Sequence, residues 1–314
     1  MKPGDLLTLD RLGSEEVRSL VNKVLQVKRS WGLLSGSGLL RGKAVMLFFE
    51  LPSTRTRISF EVAAAKLGAY PIYVKAADLQ LLRGETLADT ARVVSSYVDL
   101  VVARVSSHGF LEEFARYSRV PVVNALTRMY HPTQAIADLA TILELKGRLH
   151  GIKVAYVGDG FNNVCHSLMI ACCKTGVDIV VGSPKGYEPD KDVVRRCMKY
   201  ASRSGGSLTV VNSPEKAVED ADVVYTDVFV SMGVENERER RLRDFSGWQV
   251  DRRLVSRAKP DYIFMHCLPA HRGEEVAAEV MDDEEHSAVW VQAENKLYTA
   301  AAVLLKMLGQ VSPG

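Results

Sequence analysis

Ser-Thr-Arg-Thr-Arg at positions 53–57 places hydroxyls and two guanidinium groups where a helix should begin. Downstream, Ile58, Val62 and Ala65 recur at helical spacing, and Gly68 after Leu67 is a natural stop. Upstream, KAVMLFFEL is a short apolar run suited to a buried strand. A helix N-terminus carries the positive end of the macrodipole and favours acidic side chains, so two cations there conflict with it. An anion resolves the conflict. Free backbone N–H groups, the hydroxyls of Ser53, Thr54 and Thr56, and the guanidinium of Arg55 suit a phosphate in charge and geometry. Arg57 lies further into the helix and either supports that site or faces a carboxylate.

Other residues invite similar questions. Arg104 ends the apolar run DLVVARV, where a buried charge is costly unless it meets an anion. HPTQ, residues 131–134, sets an imidazole before a proline that would open a helix. His131 could donate to a carbonyl oxygen, although a lone histidine is more often a structural hydrogen-bonder. VGDGFNN fails the dinucleotide fingerprint, because Asn163 stands where the third glycine belongs. No acidic residue ends the next strand, DIVVGS, so nicotinamide or flavin binding is not expected. Asn162 and Asn163 are caps, or one of their amides holds an amino-acid carboxylate. In DVFVSMG, Asp227 could pair with an ammonium, or serve only as a turn residue. Cys267 in MHCLP is either a small buried hydrophobe or, beside Asp227, a group that positions or deprotonates an amine. In ENERERRLRD, Glu237–Arg241 and Glu239–Arg243 have the spacing of surface ion pairs, and a solvated helix face is expected.

The elements that must hold these residues alternate. Strand-like runs (AVMLFF, PIYV, DLVVARV, VPVVNA, KVAYVG, DIVVGS, SLTVVN, DVVYTD and DYIFMHCL) are separated by amphipathic helical stretches such as 87–97 and 193–202. That pattern predicts an α/β fold of two doubly wound domains, each a mainly parallel sheet flanked by helices. The polar break at 147–153 predicts domains over 1–148 and 149–294. A C-terminal helix is expected over 295–314, returning to the first domain or packing on the second. Most of the unusual residues follow strand ends, where open α/β sheets bind ligands, which suggests one cleft lined from two domains.

Bulk composition narrows the function. Of 314 residues, 47% are apolar and 25% charged, and 40 Lys+Arg against 38 Asp+Glu leave a net charge of +2. No general attraction to nucleic acid or to a membrane follows, so anion binding must be local. The N-terminus lacks an apolar signal core and no run approaches a membrane span, so a cytoplasmic location is expected. Five cysteines without a CxxC pair make a disulfide framework or structural zinc unlikely on spacing alone.

Together STRTR, HPTQ, DVFVSMG and MHCLPAHRGEEV resemble, in this order, the motifs of ornithine carbamoyltransferases, and the resemblance covers essentially the whole chain. STRTR and HPxQ belong to the wider aspartate/ornithine carbamoyltransferase superfamily, whereas SMG and HCLP point to the ornithine branch. The resemblance implies transfer of the carbamoyl group of carbamoyl phosphate to the δ-amine of L-ornithine, giving L-citrulline and phosphate, without metal or organic cofactor. The alternative is another acceptor amine such as putrescine. It implies carbamoyl phosphate binding by Ser53, Thr54, Arg55, Thr56, Arg104, His131, Gln134 and Lys296. Gln80 would reach the site of a neighbouring subunit in a homotrimer or a multiple of trimers. It implies ornithine binding by Asn163, Asp227, Ser231, Met232, Cys267 and Leu268, with Arg55, Arg104, His131, Asp227 and Cys267 catalytic. Three positions depart from the family pattern. Lys296 replaces the arginine of AENR, Val291 replaces an acidic residue, and ALTRMY before HPTQ adds Arg128.

Overall fold

The computed structural model describes residues 4–80, 84–231 and 233–309. Its contacts divide the chain into two units. One comprises the chain up to Leu12, Arg18–Ala140 and the chain from Glu294; the other comprises Gly13–Val17 and Thr141–Ala293. The division after Ala140 falls inside a helix that continues to Lys146, just before the polar break at 147–153.

In the first unit, helices α1 (Ser14–Arg29) and α2 (Trp31–Leu34) precede a four-stranded sheet. Its strands are β1 (Ala44–Phe49), β2 (Tyr70–Lys75), β3 (Leu100–Arg104) and β4 (Val122–Leu126), in the order β2-β1-β3-β4 and all parallel. The connections are α3 (Arg55–Leu67), α4 (Leu87–Val94) and α5 (His108–Tyr117), and β4 leads into α6 (Pro132–Lys146). β3 and β4 are buried along their whole length, as parallel strands covered on both faces must be. Met46, Phe48, Val101, Ala103, Phe114 and Val122 form part of one apolar cluster here. Leu6 adds a parallel bridge beside β4, donating to the Val122 carbonyl at 2.9 Å.

The second unit holds β5 (Lys153–Val157), α7 (Asn163–Thr175), β6 (Asp178–Gly182), α8 (Lys191–Ser204), β7 (Leu208–Val211), α9 (Pro214–Val218) and β8 (Val223–Thr226). It continues through α10 (Arg238–Asp244), α11 (Arg252–Val255), β9 (Ile263–His266) and α12 (Ala278–Met281). The five strands are parallel in the order β7-β6-β5-β8-β9. All nine apolar runs read as strands are strands. The last helix, α13 (Val289–Leu308), starts earlier than the expected residue 295. From Glu294 on it belongs to the first unit, where Lys28 bonds Asn295 at 3.0 Å and pairs with Glu294 at 3.2 Å. Trp31 meets the Tyr298 ring edge-on in the same region.

Each sheet has one point where consecutive connections leave in opposite directions. It lies between β1 and β3 in the first unit and between β5 and β8 in the second. In each unit, the loops beyond the carboxyl ends of that strand pair lie at the preferred ligand position of an open parallel sheet.

Candidate functional site

Residues 50–57 and 104–107 are the loops at the first switch point. They are tied together: the Glu50 amide donates to the Arg104 carbonyl at 2.9 Å, and the Glu50 carboxylate accepts from the Ser106 amide and hydroxyl, both at 2.8 Å. The N-cap of α3 is Thr54, in a right-handed helical conformation, and its side chain makes no capping bond. The first-turn N–H groups are therefore left for another acceptor, and no acidic residue sits in that turn. Arg55 is half-buried and pairs with no carboxylate among the described residues. Arg57 behaves differently. It pairs with Glu61 at 3.1 Å and lies over the Tyr73 ring at 3.5 Å, which settles it as a partner of a carboxylate.

Arg104, His131, Gln134 and Lys296 are all buried in this unit. Gln134 donates through Nε2 to Asp138 at 2.8 Å and accepts from the Lys296 ammonium at Oε1. This chain fixes which way the Gln134 amide faces. Thr56 and Lys296 line a small cavity together with Ser59, Phe60, Thr133, Thr299 and Ala300. Ser53 is half-buried and Thr54 exposed in the turn before α3, while Gln80 is exposed beyond a short 3-10 turn, Ala76–Asp78. The Arg128 side chain is exposed.

Burial, reinforced by the charges of Lys296 and Arg104, holds the His131 pKa well below 6.5. The imidazole is therefore neutral near pH 7. Below pH 6.5 the unfolded chain takes up a proton that folded His131 refuses, so stability falls as pH falls there; above that pH the group contributes no slope. A urea midpoint that declines between pH 7 and pH 5, and declines less in His131→Asn, is the expected result. Equal declines in the two proteins would refute it.

The second switch point is lined by residues 158–163 and 227–231. Asp227 is 7% exposed and is held only by neutral donors among the described residues. Its Oδ1 accepts from the Val228 amide at 2.9 Å and the Cys267 thiol at 3.1 Å, and its Oδ2 accepts from the Asn162 amide at 3.1 Å. A buried carboxylate without a cation is poised to receive one. Ser231 is half-buried, whereas Met232 lies outside the described residues. Leu268 is half-buried with φ of 62°, a left-handed conformation that a non-glycine residue keeps only where its surroundings impose it. Here its N–H donates to His266 Nδ1 at 2.9 Å, so His266 carries its proton on Nε2, which meets Glu275 at 3.1 Å. Asp227, His266 and Cys267 lie close enough to hold a metal, but both His266 nitrogens are already engaged.

The two asparagines that sequence left open are distinguished by position. Asn162 caps α7, its Oδ1 accepting from Val164 and Cys165 amides at 2.8 and 2.9 Å, while Nδ2 also bonds the Tyr156 hydroxyl at 3.0 Å. Asn163 is the first helical residue, half-buried, with its amide unengaged among the described residues. This cap also explains VGDG. The α7 N–H groups that would receive a pyrophosphate are occupied, Gly158 is needed for its φ of 138°, and a Cβ on Gly160 would meet Pro189 at 2.7 Å.

The solvated face expected for ENERERRLRD is corrected at Arg241, which is 9% exposed. It pairs with Asp159 at 2.7 Å and Glu237 at 3.0 Å, while Glu239 and Arg243 are exposed and make no pair with each other. The i,i+4 spacing identified the Glu237 partner, but only the fold brings Asp159, 82 positions away, to the guanidinium.

Comparison with known proteins also divides the chain in two, between residues 144 and 150. Residues 4–144 fit the model of the aspartate/ornithine carbamoyltransferase carbamoyl-P binding domain, and residues 150–307 fit that of the Asp/Orn binding domain. The chain belongs to the aspartate/ornithine carbamoyltransferase family. Within this family, an ornithine carbamoyltransferase of Pyrococcus horikoshii is 52% identical across 100% of this chain and 98% of its own length. One from Bacillus subtilis is 50% identical over 97% of this chain and 93% of its own. The solved ornithine carbamoyltransferase of Pyrococcus furiosus superposes with a TM-score of 0.94 at 52% identity, covering 98% of each chain. For this carbamoyltransferase, sequence reasoning passed over Tyr156 and Asp138, named Asn162 only as one of two possible caps, and read Arg241 only as a member of a surface ion pair. Tyr156 and Asp138 left no local signal, because their partners Asn162 and Gln134 are identified only by the folded hydrogen bonds.

Proposed function

We propose that this chain transfers the carbamoyl group of carbamoyl phosphate to the δ-amine of L-ornithine, giving L-citrulline and phosphate. The observation that carries the choice of acceptor is Asp227, a buried carboxylate caged by a thiol and two N–H donors. It suits the ammonium of a basic amino acid. An aspartate substrate would bring a second anion toward it. The Asn163 side-chain amide, unengaged among the described residues, suits the α-carboxylate, which putrescine lacks. Full-length identity of about 52% to proteins named ornithine carbamoyltransferase supports the same reading.

In this reading the first unit holds carbamoyl phosphate. The α3 N-terminus with Ser53, Thr54, Arg55 and Thr56 takes the phosphoryl group, and Arg104, His131, Gln134 and Lys296 take the carbamoyl group. The second unit holds ornithine through Asn163, Asp227, Ser231, Met232, Cys267 and Leu268. The neutral δ-amine attacks the carbonyl carbon and a C–N bond forms. Arg55, Arg104 and neutral His131 stabilise the oxyanion. The C–O bond to phosphate then breaks, and the proton lost by the amine leaves with the phosphate. Orientation of the two substrates supplies much of the acceleration. Lys296 keeps the charge of the family's arginine without its planar fork, and gives one of its donors to Gln134. No described helix is long and apolar enough to cross a membrane, and a cytoplasmic location fits. Exposed Gln80 fits a role in a neighbouring subunit of a homotrimer.

A colorimetric citrulline assay with ornithine, putrescine, aspartate and lysine offered in parallel tests the assignment. Citrulline from ornithine alone is expected. No product from ornithine at saturating carbamoyl phosphate would overturn the proposal.

A further inference from the structure

We infer that Arg241 is a positioning residue for the amino-acid substrate, acting as a clamp across the switch point of the second sheet. On α10 it is the exception. Arg238, Glu239, Arg240 and Arg243 are exposed, whereas Arg241 turns inward. Its Nη1 donates both to Asp159 Oδ2 at 2.7 Å and to the Phe229 carbonyl at 3.0 Å. Asp159 stands in the loop after β5 and Phe229 in the loop after β8, and those strands are neighbours. One nitrogen therefore joins the two loops of the second switch point.

Each contact continues toward a residue assigned to ornithine. Asp159 Oδ1 accepts from the Phe161 amide at 3.0 Å, two positions before Asn163. Phe229 lies midway between Asp227 and Ser231. The clamp is itself braced: Nε donates to Glu237 at 3.0 Å, and the guanidinium lies 5.0 Å from the centre of the Tyr187 ring. The Tyr187 carbonyl accepts from the Gly160 amide at 2.9 Å, in the same loop as Asp159. Burial pushes the Asp159 carboxyl up and Arg241 draws it back down. Such a buried pair is a weak source of net stability, because desolvation opposes the attraction. Its geometry is the more specific contribution: a planar fork reaches a carboxylate and a carbonyl at fixed angles, which an ammonium on a flexible stem does not reproduce.

This inference rests on the proposed assignment of Asn163, Asp227 and Ser231 to ornithine. It is tested with Arg241→Lys, and with the double variant Arg241→Met/Asp159→Asn, which leaves no unpaired buried charge. In both, the KM for ornithine should rise about tenfold or more while the KM for carbamoyl phosphate stays within about twofold. Hydrogen exchange of the Phe161 amide should accelerate, with unchanged far-ultraviolet circular dichroism. An ornithine KM within about twofold of wild type in both variants, or equal rises in both KM values, would overturn the inference. If the wild-type protein formed no citrulline, the proposed reaction would fall, and exchange at Phe161 would decide the clamp alone: faster exchange upholds it, unaltered exchange overturns it.

Discussion

Arg55→Ala raises the KM for carbamoyl phosphate about 100-fold and lowers kcat by roughly 10²–10³, the usual loss when a charge-stabilising donor leaves an active site. The folded protein should be unharmed. Arg55 pairs with no carboxylate among the described residues and is half-buried, so its removal orphans nothing. It also lifts a cation from the positive end of a helix, which favours the fold by a few tenths of a kcal/mol. The unliganded Tm is therefore expected to stay or rise slightly. The Tm increase produced by carbamoyl phosphate, which grows with occupancy of the native state, should largely vanish. Thermal scans with and without carbamoyl phosphate, alongside steady-state kinetics, check both halves. A ligand-induced shift equal to that of wild type would show that the phosphate site lies elsewhere. The uncapped α3 N-terminus makes that outcome unexpected: its free N–H groups and the guanidinium call for the same anion.

Asp227→Asn has its effect on the other substrate. The carboxylate accepts three hydrogen bonds from neutral donors and carries a charge with no described counterion. An asparagine keeps the shape but loses the charge, and its NH₂ group must face an existing donor: the Asn162 amide, or the Val228 amide and Cys267 thiol. Losing one partner of a buried charge pair costs about 2–5 kcal/mol, so kcat/KM for ornithine should fall by roughly 10² to 10³ or more. The KM for carbamoyl phosphate should stay near wild type, since its proposed ligands belong to the first unit. Varying each substrate in turn at saturation of the other measures this split. Ornithine kinetics unchanged from wild type would remove Asp227 from the ammonium site.

Local pattern carried the fold a long way. Runs such as AVMLFF and DLVVARV are apolar without alternation, as only a strand buried on both faces can be, and they became β1 and β3. Proline at position 132 opens α6, where its missing N–H costs nothing. The same logic marked residues 53–57, because a cation-bearing, acid-free helix start contradicts the local rule and such contradictions tend to be functional.

Partners far apart in sequence followed no such rule. Arg57 and Arg241 look alike as exposed helical arginines with a glutamate at i±4 spacing. In the fold, Tyr73 covers one, while Asp159 and the Phe229 carbonyl bury the other. Asn162 and Asn163 are adjacent and chemically identical, but one backbone step turns the first into a cap and leaves the second free. Lys296 reaches Gln134 across 162 positions, and Cys267 reaches Asp227 across 40. Periodicity, capping preference and charge type are properties of neighbouring residues, so the chain by itself determined its strands and most of its helices, and marked residues 53–57 as a candidate anion site. The state of each polar side chain depends on which loops the parallel sheets bring together at their switch points. That meeting is set by strand order, which no local window contains.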